Sequence, residues 1–478
     1  MNGRTKIVAT LGPATDRPEV LDEMIVAGVD VVRLNLSHGS VDSHIARLRA
    51  VRESAARTGS VVAVLADLPG PKVRAAPFPE GGLELHAGAT VSLHPDAIVS
   101  SDDVVGVDYP TLLEDLHPGD PIVVGDGAIT LKVERISSDG ALCEVRNGGR
   151  AQGRPGVHLP SERMRVETPT AEDLALAEQM SAEGVDFLAV SFVRDADDLQ
   201  CVRDAIAPMR TRLVAKIETL SAVQHLDDII AVSDAVMVAR GDLGIECPLE
   251  DVPHMQKRIV RSCVAAGVPV ITATQMMESM ITASSPTRAE VSDVANAVFD
   301  GTDALMLSGE TAVGVDPANV VRTMARVAER AERDADYAHW ADHLGRLQRK
   351  GLPDGPDRIT MAVTHAAGLA AVDAGADAIL CCTRSGRTAL AMARFRPQAR
   401  LIGLSPDPAT VRALALSWGV ISVQVETYET IDQLVWFAVE TAVHRGLVTS
   451  GQTVLVLAGA PDGASGASTD VLRIVRVA

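Results

Sequence analysis

Residues 213–244, LVAKIETLSAVQHLDDIIAVSDAVMVARGDLG, hold one lysine and two carboxylates in positions where they can meet. LVAKI reads as a buried strand with Lys216 near its end. Glu218 follows two positions later, so strand parity points both side chains the same way. An amphipathic helix to about Ile230, capped by Thr219 or Ser221, then leads to a second buried strand, AVMVA, and to Arg240-Gly241-Asp242. In a parallel α/β unit the carboxyl ends of strands open on one face, which lets Glu218 and Asp242 converge on a cation despite lying 24 residues apart. Two carboxylates without histidine or cysteine suit a hard cation, Mg2+ or Mn2+. Lys216 adds a positive charge beside them, and with six lysines among 44 basic residues a lysine at an apolar strand end is informative. A plain Lys216–Glu218 ion pair is the competing reading.

These side chains need a scaffold that brings strand ends together. Residues 6–68 alternate strand and helix: KIVAT, a helix over 18–27, VDVVRL, a helix over 41–57, and VVAVLADL. From 69 to 168 the helical period vanishes, and short apolar runs between Gly, Pro and Asp turns predict an inserted all-β domain. Alternation resumes at 169 with DFLAV, LVAKI, AVMVA, PVITAT and DALML. That completes eight βα units, the number that closes a TIM barrel. The expected fold is therefore α/β: a (β/α)8 barrel from 1–68 plus 169–337, an all-β lid over 69–168 and, beyond a polar linker, a C-terminal α/β domain over 340–478. The insertion leaves after the third strand, at the face where a lid can exclude water. An open doubly wound sheet is the alternative.

With 478 residues, 47% hydrophobic and 22% charged, the chain is long enough for two to four domains. A net charge of −19 argues against nucleic-acid or anionic-membrane binding. The six cysteines lack zinc-type spacing and read as reduced core residues of a cytoplasmic protein. Neither an export signal nor a membrane span is expected.

VVRLNLSHGS at 31–40, together with AKIE, ARGDLG, TATQMMESM and PTRAEVSDVANAVFDGTDALMLSGETA, closely resembles the signature segments of pyruvate kinases, and the likeness runs along the whole chain. It implies a homotetrameric enzyme that transfers phosphate from phosphoenolpyruvate to ADP, giving pyruvate and ATP. It makes Glu218 and Asp242 the Mg2+ ligands and Lys216 the cation on the transferring phosphoryl and enolate. Arg33 becomes the holder of the substrate phosphate, Gly241 a backbone contact to the substrate carboxylate, and Thr274 the group near the carbon that is protonated. Ser308-Gly309-Glu310-Thr311 would shape the pocket.

The resemblance also maps a monovalent-cation site onto Asn35, Ser37, Asp67 and Leu68. However, Lys72 stands where K+-dependent members carry glutamate, so K+ is not expected to be required. Nucleotide contacts fall on Asn35, Ser37, His38 and Arg74, and a lid contact on Asp126. A lid-hinge lysine common in the family is missing, and Arg163 or Arg165 stands as its substitute. Thr383, Arg384, Ser385, Gly386, Arg387 and Thr388 match the effector-phosphate loop, which implies activation by a phosphorylated sugar or nucleotide. Two competing readings are a Mg2+-dependent lyase or aldolase acting on pyruvate enolates, and a non-catalytic metabolite sensor.

Overall fold

The computed structural model describes residues 3–125, 127, 129–160, 165, 167–337, 340–341, 344–345, 356–427, 430–459 and 468–478. Eight parallel strands close a barrel: β1 Lys6–Thr10, β2 Val31–Asn35, β3 Ala63–Asp67, β4 Phe187–Val190, β5 Arg212–Ile217, β6 Ala235–Ala239, β7 Val270–Ala273 and β8 Ala304–Leu307. All eight are the runs expected from the sequence. The open sheet is excluded, because β1 pairs with both β2 and β8.

Strand parity sorts the side chains. Along β5, Leu213, Ala215 and Ile217 pack against the helical layer, whereas Val214 lies in the barrel's inner core with Val8, Val31, Leu65, Ala189 and Met237. The inward row of β5 therefore reads Arg212, Val214, Lys216 and then Glu218. The helix expected after β5 is broken at His225 into Leu220–Gln224 and Leu226–Val232.

An aspartate immediately precedes each even-numbered barrel strand and accepts the backbone N–H that opens the neighbouring odd-numbered one. Asp30 accepts from Ile7 at 2.9 Å, Asp186 from Val64 at 2.8 Å, Asp234 from Leu213 at 2.9 Å and Asp303 from Val270 at 3.0 Å. Donors at the start of a parallel strand have no ladder partner there, so these carboxylates satisfy them.

Two of these four aspartates also grip the C-terminal domain. Asp186 accepts from Arg412 Nε at 2.7 Å, and Asp303 from Arg396 at 2.9 Å and from the Trp418 N–H at 3.2 Å. Ala413, Ala415 and Leu416 of that domain complete the barrel's inner core from below. Arg396 is 1% exposed, so Asp303→Ala strands its charge in the interior. The expected result is a loss of about 3–5 kcal/mol, read as an earlier urea-unfolding transition.

The inserted domain has its own apolar core under a six-stranded sheet, a two-stranded sheet and, among the described residues, one short helix, Leu112–Asp115. Both of its connections to the barrel are fastened by Asp173. One oxygen takes the Gly70 N–H at 2.9 Å; the other takes the Thr170 N–H at 2.9 Å in a capping box. Gly70 has φ 69°, and a Cβ there would lie 2.7 Å from the Phe192 ring, so only glycine fits this exit turn.

The C-terminal sheet runs Val420–Gln424, Arg400–Ser405, Ala378–Cys382, Thr453–Gly459 and Thr469–Arg476. Its last strand is antiparallel and was not foreseen from the sequence. Most of the expected linker lies outside the described residues, and a helix begins at Pro356. The six cysteines are free, five of them at least partly buried and Cys201 exposed. Among the described residues no helix is long and apolar enough to cross a membrane.

Candidate active site

The carboxyl ends of β1–β5 deliver a connected polar cluster. Lys216 Nζ, only 11% exposed at its side chain, is held by Ser191 Oγ at 2.6 Å, Glu218 Oε1 at 2.7 Å and Asp67 Oδ1 at 3.3 Å. Arg33 Nε donates to Asp67 Oδ2 at 2.7 Å and Arg33 Nη1 to Thr10 Oγ1 at 3.2 Å. The second Glu218 oxygen accepts the Phe192 N–H at 2.7 Å, where Phe192 sits at φ 55°. A bulky residue in the left-handed region costs energy and is kept where the surroundings over-determine it, commonly at functional sites.

Electrostatics follow from these contacts. Burial pulls the Lys216 ammonium down, but Asp67, Glu218 and Asp242 outweigh it, so its pKa is raised and the lysine stays charged. Burial pushes Asp67 up, yet Lys216 and Arg33 bring it below the usual carboxylate range. Glu218 is left above that range by burial and by Asp242, against the opposing pull of Lys216. Three carboxylates share two cations here, so the cluster has negative charge to spare for a further cation.

The donors are all oxygen, which fits Mg2+ or Mn2+ and not a thiol- or imidazole-seeking metal. Among the described residues no group of three or more His, Cys, Asp or Glu side chains is placed to hold a metal. Glu218 and Asp242 would therefore be the protein's share of the shell, with water and substrate oxygens completing it.

Across the rim, Thr274 and Gln275 take φ 66° and 53°. Thr274 Oγ1 donates to the Ala273 carbonyl at 2.7 Å and accepts the Gly241 N–H at 2.9 Å. The expectation for Gly241 changes accordingly: its N–H is spent on Thr274 here. Arg240 binds the Ala273 carbonyl at 3.1 Å and Asp293 at 2.7 Å, clamping the turn that carries Asp242 to the end of β7. Glu310 accepts the N–H groups of Ser308 at 2.7 Å and Met277 at 3.1 Å, which ties the ends of β7 and β8 together.

Nearby lies a second, cationic group. Burial holds the His38 imidazole below its ordinary value, helped by Lys72, Arg74 and Arg33. Lys72 is exposed as a residue; partial desolvation of its ammonium, with Arg74 and Lys216, lowers its pKa, opposed by Asp67 and Asp242. It thus stands within electrostatic reach of both the carboxylate cluster and Arg74. Asn35 Oδ1 accepts the Ser37 N–H at 3.2 Å. The Leu68 carbonyl accepts from Ser191 Oγ at 2.8 Å.

Several expected residues fall elsewhere. Asp126 and Arg163 lie outside the described residues. Arg165 pairs with Asp115 at 3.0 Å and Glu114 at 2.6 Å on the inserted domain. In the C-terminal domain, Thr388 turns inward to Thr469 Oγ1 at 2.7 Å and Thr383 Oγ1 accepts the Gly386 N–H at 3.0 Å, so this turn has fewer open groups than expected. Arg384, Ser385 and Arg387 remain exposed. Thr10, Ser191, Arg240 and Asp173 were missed; for Ser191 the signal was its inward parity, two residues beyond Ala189.

A TIM barrel with a strand-end lysine, paired carboxylates and a cationic shelf suits a phosphotransferase. The chain matches the pyruvate kinase barrel domain over residues 2–321 and the pyruvate kinase alpha/beta domain over 361–475. It is 41% identical to a pyruvate kinase of Methylorubrum extorquens over 99% of this chain and 97% of that one. To a pyruvate kinase of Geobacillus stearothermophilus it is 38% identical over 99% of this chain and 80% of the other. A pyruvate kinase structure from Cryptosporidium parvum superposes with a TM-score of 0.91 at 32% identity, covering 99% of this chain and 96% of that one. The chain belongs to the pyruvate kinase family.

Proposed function

We propose that the protein transfers the phosphoryl group of phosphoenolpyruvate to ADP, forming pyruvate and ATP in the last step of glycolysis, with Mg2+ or Mn2+ as cofactor. The observation that carries this reading is the Lys216–Glu218–Asp67–Arg33 network at 2.7–3.3 Å on the rim of the barrel. Arg33 presents the free part of its planar fork to the substrate phosphate, with Asp67 fixing its orientation. A divalent cation on Glu218 and Asp242 would neutralise phosphoryl and carboxylate oxygens. With Glu218 a ligand of that cation, a Lys216 N–H now held by Glu218 would be free to face the bridging oxygen of the substrate.

The phosphorus–oxygen bond to the enol breaks as the ADP oxygen bonds to phosphorus. Lys216 steadies the enolate oxygen left behind. A proton then reaches the enolate carbon on the Thr274 side. A threonine hydroxyl alone is a poor acid, so Thr274 positions or relays that proton through water. His38, Arg74, Asn35 and Ser37 form the nucleotide side, and the inserted domain closes over it.

Lys72 replaces the K+ ion in this reading. Asn35, Ser37, Asp67 and Leu68 would surround that ion, and the Lys72 ammonium supplies the same charge near Asp67 and Asp242. Activity in buffer free of K+ and Na+ should equal that with K+. In Lys72→Glu, K+ should become necessary, raising turnover at least tenfold on addition. A K+ requirement in the wild type sinks the replacement.

Arg384, Ser385 and Arg387 are the exposed part of the effector turn, whose ligand would be a phosphorylated sugar or nucleotide. A homotetramer is consistent with the apolar side chains left open at Trp436, Phe437, Val443 and Phe299. The enzyme is expected to work in the cytoplasm. Pyruvate release from phosphoenolpyruvate that requires ADP separates this reading from a lyase.

A further inference from the structure

One buried titratable side chain, His44, has no part in the reaction proposed above. It is 3% exposed and sits in the first turns of the helix Val41–Thr58, which follows β2. Its Nε2 lies 2.7 Å from the His38 carbonyl oxygen. A carbonyl can only accept, so Nε2 carries the proton and donates. Burial holds the imidazole below its ordinary pKa against the pull of that carbonyl, with Arg47 and His38 adding to the fall, so the ring is neutral. Nδ1 is then an acceptor, and it is buried without a hydrogen-bond partner among the described residues.

That bond fastens the loop between β2 and the helix. At one end the Leu36 N–H donates to the Asp67 carbonyl at 3.0 Å and the Ser37 N–H to Asn35 Oδ1 at 3.2 Å, beside the carboxylate cluster. At the other end Ser40 caps the helix, its Oγ accepting the Ser43 N–H at 3.3 Å. Gly39, at φ 85°, makes the turn between them; a Cβ there would lie 3.1 Å from Ser43 Oγ and 3.6 Å from His44 Nε2. The His38 N–H reaches back to the Asn35 carbonyl at 3.3 Å, so the 2.7 Å bond from His44 is the shorter of the two holds on residue 38.

We propose that His44 is a positioning residue for ADP: by holding the His38 carbonyl it sets loop 36–40 so that Ser37 and His38 meet the nucleotide. What the loop binds rests on the phosphotransfer reading. A histidine kept for packing alone pairs both ring nitrogens or gives way to an apolar residue; this one spends one nitrogen on the loop and leaves the other unpaired. The Lys216 cluster is bonded through Ser191, Glu218, Asp67 and Arg33 and not through His44, so losing the imidazole leaves those contacts in place. The effect therefore falls on nucleotide affinity. Leucine fills a similar volume without a donor, whereas glutamine keeps an N–H at comparable reach.

The experiment is steady-state kinetics together with calorimetric titration of the full chain with ADP and Mg2+, on the wild type, His44→Leu and His44→Gln. For His44→Leu the expected result is a KM and a Kd for ADP about tenfold higher, with kcat and the KM for phosphoenolpyruvate changed less than about twofold and the melting temperature nearly kept. His44→Gln should recover most of the ADP affinity. An unchanged Kd for ADP in His44→Leu overturns the proposal. So does a glutamine variant as weak as the leucine one, or a loss spread evenly over ADP, phosphoenolpyruvate and melting temperature, which would make the histidine part of the fold only. A wild type that binds no ADP overturns it as well. A wild type that binds ADP but forms no pyruvate sinks the phosphotransfer reading alone, and the ADP titrations of the two variants still decide the role of His44.

Discussion

Lys216→Met is expected to lower the turnover of phosphoenolpyruvate and ADP about a thousandfold or more, with a much smaller change in the KM for phosphoenolpyruvate. The lysine charge matters most when negative charge builds on the enolate oxygen, and a group that acts mainly in the transition state shows its loss in kcat. Steady-state kinetics separate the two constants. The same substitution has a structural cost, because Lys216 neutralises Asp67 and Glu218, each 1% exposed. Removing one partner of a buried ionic cluster costs about 3–5 kcal/mol unless the carboxylates take up protons.

That gives a pH signature. In the wild type Asp67 lies below its unfolded pKa, so its stabilisation is complete above that value and is lost as pH falls through the lowered one. Without Lys216 the depression shrinks, and the melting temperature of the variant should fall less than that of the wild type on acidification. A raised KM with kcat unchanged, in a protein of unchanged pH stability, would place Lys216 in binding alone.

Glu218→Gln carries the second large effect. Losing one of two protein carboxylates should weaken Mn2+ or Mg2+ binding at least tenfold and turnover about a thousandfold, read by cation titration and by rates at saturating metal. In the wild type, burial and Asp242 raise the Glu218 pKa, so the carboxyl must lose a proton to accept the cation. Cation affinity should therefore rise with pH through that raised value and be weaker at pH 6 than at pH 8. In Glu218→Gln this slope should flatten. A variant that binds Mn2+ as the wild type does would remove Glu218 from the shell.

Much of the fold was legible because a closed parallel barrel writes its period into the chain. Each buried run is short, β-rich and followed by a helix. Within a strand, parity put Lys216 and Glu218 on one and the same face, and the same parity applied to Ala189 yields Ser191. The turn chemistry was less legible. That the Gly241 N–H is spent on Thr274, or that Thr388 faces Thr469, depends on where two distant loops meet. The antiparallel strand Thr469–Arg476 was missed because Asp470, Arg473 and Arg476 interrupt its short apolar run. The helix after β5 was read as one segment because its apolar period continues across the break at His225. The aspartates before β2, β4, β6 and β8 were visible as letters, but their role required the neighbouring strand.

The most direct test of the account is pyruvate and ATP formation from phosphoenolpyruvate and ADP with Mg2+, in buffer free of K+, with ATP counted against pyruvate. One ATP per pyruvate, with no pyruvate when ADP is omitted, is the predicted result. Pyruvate without ADP, or no turnover with or without K+ in the presence of the sugar and nucleotide phosphates, would contradict it.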